Sequence, residues 1–94
     1  MTAQTLRHNA SDPREPVIHD LPPLRFEGAQ LLLKLSIRQA DDEMWRGRLH
    51  FSDPSSNTER ETAEIFCGLS QQDLWQSVRD LREHHLRDLY RSLL

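Results

Sequence analysis

From Gln30 onward, apolar and polar residues take turns. Leu31, Leu33, Leu35 and Ile37 share one parity, and Gln30, Leu32, Lys34, Ser36 and Arg38 share the other. Side chains of a strand alternate between its faces, so this period of two predicts a half-buried strand over 30–38. A polar run, Gln39 to Glu43, interrupts it. The alternation returns over 44–52, with Trp45, Gly47, Leu49 and Phe51 set against Arg46, Arg48 and His50. Residues 53–59 have the composition of a loop. A third strand is predicted over 60–67, with Ala63, Ile65 and Cys67 inward and Thr62, Glu64 and Phe66 outward. Short loops join neighbours, so the three strands read as an antiparallel meander. Placing Ile37 opposite Trp45, Leu33 opposite Leu49 and Leu31 opposite Phe51 brings all inward residues together. The same register sets Leu49 opposite Ala63. A slip of one residue would reverse the faces. Gly47 in the middle strand implies that something bulky lies over it, and Trp75 is the expected occupant.

After Gly68 the period lengthens. Ser70 with Asp73 three residues on resembles a capping box, and Leu74, Trp75, Val78 and Leu81 follow as one helical stripe. Leu86, Leu89, Tyr90 and Leu93 form a second stripe, offset from the first by roughly 80°. Either two short helices, about 71–82 and 84–93 with a break near Glu83–His85, or one long kinked helix satisfies both. Helices on one face of a three-stranded sheet make an α+β domain, placed at 29–94. Upstream, 16–28 contains three prolines among Val17, Ile18, Leu21, Leu24 and Phe26, which predicts an extended arm rather than a helix. The arm is expected to cover the outer sheet face or to run along an edge. Residues 1–15 are polar and without period, and are expected to be a disordered tail.

Composition narrows the function more than the fold. The chain has 94 residues, 36% hydrophobic, so its core is thin and a partner's surface would add to it. A net charge of −3 argues against a dedicated nucleic-acid binder. A single cysteine, Cys67, excludes an intrachain disulfide and suits a reducing compartment. No apolar run approaches a membrane span and the first residues lack a signal-peptide core, so the expectation is cytoplasmic with no membrane partner. Of twelve basic residues only Lys34 is lysine, a bias expected of a GC-rich bacterial genome.

Two sets of side chains on the predicted outer face invite a function. Leu32, Met44 and Phe66 are apolar among charges, and such a cluster marks a protein contact. Lys34, Arg38, Arg46, Arg48 and Arg60 are the cations of an alternative anion-binding face, for nucleic acid or an acidic ligand. Against that alternative, Arg48 is expected to pair with Glu64, and a solvated face with weak ion pairs is the ordinary outcome. Cys67 has no base near it in sequence, so it reads as a small packing residue and not a nucleophile. Adjacent helical residues point ~100° apart, so His84 and His85 do not make a metal site. No cofactor is expected. The reading is a small non-enzymatic protein-interaction or structural module, self-associating as a homodimer.

Overall fold

The computed structural model describes residues 15–94, so the tail expected over 1–15 lies, apart from Glu15, outside the described residues. The fold is α+β, an antiparallel sheet followed by two helices packed on it. Its strands are β1 (Val17–Phe26), β2 (Ala29–Gln39), β3 (Trp45–Asp53), β4 (Thr58–Glu61) and β5 (Phe66–Gly68). They are followed by α1 (Gln71–Arg79) and α2 (Glu83–Ser92). The spatial order is β1-β2-β3-β4, with β5 also beside β3. Five strands replace the three expected. The arm is a strand on the β2 edge, and the third predicted strand is two short ones.

Each turn explains its register. Between β1 and β2, Glu27 and Gly28 both take positive φ, 49° and 86°, which is the two-residue hairpin that matches strand twist. Farther along, Leu21 faces Leu33 and Leu24 faces Leu31, so Pro22 and Pro23 bulge opposite Leu32. Between β2 and β3 the Glu43 amide donates to the Ala40 carbonyl and the Ala40 amide to that of Met44, with Glu43 at φ 67°. This tight loop ends with Gln39 opposite Trp45. Leu35 therefore faces Leu49, Leu33 faces Phe51 and Ile37 faces Gly47. The register differs by two residues from the expected one, which kept every side chain on its predicted face while misplacing its partner.

The third strand departs more deeply. At Thr62 the chain leaves the ladder. The Leu49 amide donates to the Thr62 hydroxyl at 3.0 Å, and the Thr62 amide donates to the Leu49 carbonyl at 3.0 Å. β3 goes from His50 to Gly47 while its partner goes from Glu61 to Phe66, two residues more. The faces are the reverse of those expected because the 53–58 turn sets Phe51 opposite Arg60, a slip of one residue, and the two-residue insertion keeps that parity. Thr62 and Phe66 are buried, whereas Ala63, Ile65 and Cys67 are exposed.

The core lies between the sheet and the helices. Leu31, Leu33, Leu35, Ile37, Leu49 and Phe51 supply its floor. α1 begins at Ser70, whose hydroxyl accepts from the Asp73 amide, and it buries Leu74 and Val78. Leu74, and not Trp75, occupies the space over Gly47. A Cβ there would lie 3.2 Å from Ile37, 3.3 Å from Leu74 and 3.4 Å from Leu35. The helix breaks at Asp80–Arg82, earlier than expected, and α2 lays Tyr90 against Phe26 and Phe51 at centroid distances of 4.9 and 5.2 Å. Gly68 is tighter still, since a Cβ would stand 2.7 Å from the Leu74 backbone nitrogen. Side-chain tips can yield and backbone cannot. In urea titrations Gly68→Ala is thus expected to cost about 3 kcal/mol or more and Gly47→Ala about 1–2 kcal/mol, both by overpacking.

Candidate functional site

The helices cover one sheet face, and the other carries the outward residues of β1 to β4. Ile18 stands opposite Ser36 and Asp20 opposite Lys34. Ser36 in turn faces Arg48, Lys34 faces His50, and His50 faces Glu61. On this face the cations meet carboxylates. Glu64 accepts both arms of Arg38, from Nε at 2.6 Å and from Nη2 at 2.8 Å. Arg48 donates to Glu61 at 2.8 Å and lies 3.8 Å from Glu64. Arg46 donates to Asp42 at 2.6 Å, and Lys34 sits 3.8 Å from Asp20. The expected Arg48–Glu64 pair is therefore present, but Arg38 holds Glu64 more closely. Arg60 is not part of this face. It stands opposite Phe51 and donates to the Leu93 carbonyl on the helical side.

The arginine pairs favour the ionised form of Glu64, Glu61 and Asp42. The two-pronged hydrogen bond from Arg38 is the main reason that the Glu64 carboxyl titrates below its ordinary range, with burial opposing. The Arg48 hydrogen bond does the same for Glu61. Asp42 is lowered chiefly by the Met44 amide and further by Arg46.

The apolar triad expected as a protein contact is not a cluster. Phe66 is 6% exposed and belongs to the core, because the one-residue slip set at the 53–58 turn puts its parity on the inward face. Met44 is half-buried beside the β2–β3 loop, at the Trp45 end of the face. Leu32 lies opposite Ser52 at the other end, seven positions of β2 away, roughly 20 Å at strand rise. Another exposed apolar residue on this face, Ile18, stands opposite Ser36, four β2 positions from Leu32. Leu32 is 44% and Ile18 52% exposed, and with Lys34 and His50 they border one half-open depression of about 410 Å³. Sequence reasoning missed Ile18 because it left the arm without a register. The alternation Ile18, Asp20 against Val17, His19, Leu21 was the available signal.

The helical side holds a feature of another shape. A half-open groove of about 430 Å³ runs between the diproline bulge of β1 and the α1–α2 junction. Its walls include Leu21, Pro22, Pro23, Trp75, Leu81 and Leu86, and only Arg79 and Glu83 are charged. Trp75 meets the edge of His19 at 5.1 Å, and the Arg79 guanidinium lies 5.9 Å from its ring centroid. The His19 Nε2 atom is buried without a hydrogen-bond partner among the described residues. No single residue marks this groove in the sequence.

Of the remaining polar candidates, His85 has a structural role, whereas Cys67, expected as a small packing residue, is exposed. His85 Nδ1 accepts from the Arg82 amide at 3.0 Å and so closes the first turn of α2, beside the His84 ring. Cys67 is exposed in β5 opposite Arg46, with no histidine hydrogen-bonded to it. Among the described residues no three His, Cys, Asp or Glu side chains gather as a metal site would require, and no helix is long and apolar enough to cross a membrane. No protein-family model matches this chain, and no curated protein or solved structure shows significant similarity to it.

The Glu64 pair has a pH signature. A carboxyl lowered on folding stabilises the native state above its unfolded pKa, and that contribution disappears as pH falls through the folded value. Wild type is expected to exceed Glu64→Gln in stability at neutral pH, and the gap should close as pH falls below about 4.3, the unfolded glutamate value. Urea midpoints measured from pH 7 to pH 2.5 check this, and a constant gap would rule out the ion pair as its source.

Proposed function

We propose that this chain is a small non-enzymatic interaction module that contacts protein through the uncovered sheet face, and that its partner is a second copy of itself. The observation that carries this reading is a broad sheet face with no layer over it, on which Ile18 and Leu32 stand half-exposed at the rim of one depression with the Asp20–Lys34 row between them. A protein partner suits a broad face on which apolar and charged residues are mixed.

Charge supports a like partner. Lys34, Arg38, Arg46 and Arg48 are set against Asp20, Asp42, Glu61 and Glu64 in ion pairs, so the face has little net sign. Two copies meeting there about a two-fold axis carry no gross repulsion. The same pairing weakens the alternative of an anion-binding face for nucleic acid, because each of those cations already has a carboxylate. Arg60 is absent from that face. The sheet edges are poorer contacts. β1 carries Pro22 and Pro23, and the opposite edge is split into β4 and β5 of four and three residues. Prolines and short strands blunt edge pairing. Cytoplasmic location and a bacterial source belong to the same proposal and rest on composition.

Light scattering and sedimentation equilibrium at micromolar concentration are expected to show a dimer. Leu32→Glu and Ile18→Glu should each convert it to a monomer, with intrinsic stability changed by no more than about 0.5 kcal/mol because both side chains are exposed. A wild-type monomer across that range overturns the reading.

A further inference from the structure

The groove on the helical side is built unlike the opposite face. Its apolar walls come from four separate elements, β1, β2, α1 and α2, and its volume of about 430 Å³ falls within the ~300–1,000 Å³ of small-ligand pockets. Its two charges are not equivalent. Glu83 is engaged, since it accepts from Arg87 at 3.3 Å. Arg79 has no carboxylate partner among the described residues, and it stands over Trp75 at 5.9 Å. Trp75 is flanked on another side by His19. A guanidinium at the rim of an apolar groove complements one kind of molecule, an apolar body ending in a carboxylate, which it can hold by two parallel hydrogen bonds.

We propose that this groove binds a small amphipathic carboxylate, with its hydrocarbon part between the diproline bulge, Trp75 and Leu86, and its carboxylate on Arg79. The site is independent of the self-association proposed above, because it lies on the other side of the sheet. The diproline bulge opens β1 at this point, and the break at Asp80–Arg82 separates the helices beside it. Without those two interruptions a strand and a continuous helix would close over the space.

Calorimetric titration of the full chain with octanoate, decanoate and decanol, all below their micellar concentrations, tests the assignment. Affinity is expected to rise from octanoate to decanoate by about fourfold per methylene buried. Decanoate should bind at least ~10-fold more tightly than decanol, as a charge-assisted hydrogen bond requires. Arg79→Gln, an exposed position, should bring decanoate down to the level of decanol while leaving decanol unchanged. Leu32→Glu, on the other face, should leave decanoate binding intact even where it abolishes the dimer. Equal binding of decanoate and decanol, indifference to Arg79→Gln, or no binding of decanoate at millimolar concentration would each overturn the site.

Discussion

One hydroxyl decides how the sheet ends. At Thr62 the side-chain oxygen takes the hydrogen bond from the Leu49 amide that a carbonyl would take in an unbroken ladder. The same hydroxyl donates to the Ala63 carbonyl at 2.6 Å, so the buried oxygen serves both partners. Buried polar groups must be satisfied, and here one side chain does so while the main chain steps aside. The step admits two extra residues before pairing resumes at Phe66. Phe66 then enters the core, Glu64 comes within reach of Arg38 and Arg48, and Gly68 arrives under the first turn of α1. Continued strictly as a strand in the β4 register, the same residues would have set Glu64 opposite Gly47 and Phe66 opposite Trp45, on the core side, and so withdrawn the carboxylate that neutralises the centre of the outer face.

This also explains which parts of the fold the sequence made legible. In β2 and β3 the apolar residues occupy one parity almost alone, so their faces could be read without knowing the partners. In RETAEIFC both parities carry apolar residues, Ala63, Ile65 and Cys67 on one and Phe66 on the other, so alternation could not choose between them. The choice came from the 53–58 turn, which pairs Phe51 with Arg60 and so brings Thr62, not Ala63, level with Leu49, a slip of one residue that leaves no periodic trace. The two-residue register error between β2 and β3 has a comparable origin. Parity survives a shift of two, and only the loop distinguishes the alternatives. That loop uses Glu43 at positive φ, where glycine or asparagine would have announced the turn.

The candidate surfaces were legible to the same degree. Leu32, Lys34, Arg38, Arg46 and Arg48 stand on the outer face because parity placed them there. Phe66 and Arg60 do not, because they lie in the segment where parity failed. Ile18 was hidden for a different reason. Three prolines marked 16–28 as extended but gave no face, and only pairing with β2 assigns Ile18 outward and Leu21 inward. The groove was further from view, since it requires a bulge in β1 and a gap between helices to coincide in space.

The two surfaces follow from one mismatch of size. Two helices of nine and ten residues are laid on one side of a five-stranded sheet. Tyr90 anchors α2 over Phe26 and Phe51, and Leu74 anchors α1 over Gly47, so the helices are pinned where the floor is aromatic or vacant. Between the anchors the inner face of β1 is only partly roofed, and the diproline bulge widens that opening into a concavity. The outer face has no roof, yet it is saturated with ion pairs except near Ile18 and Leu32. Apolar area left uncovered thus takes two forms, one bordered by a guanidinium with no carboxylate partner among the described residues and one ringed by balanced charge. The first can select a ligand by its end group, while the second offers shape and modest hydrophobicity without a preferred sign.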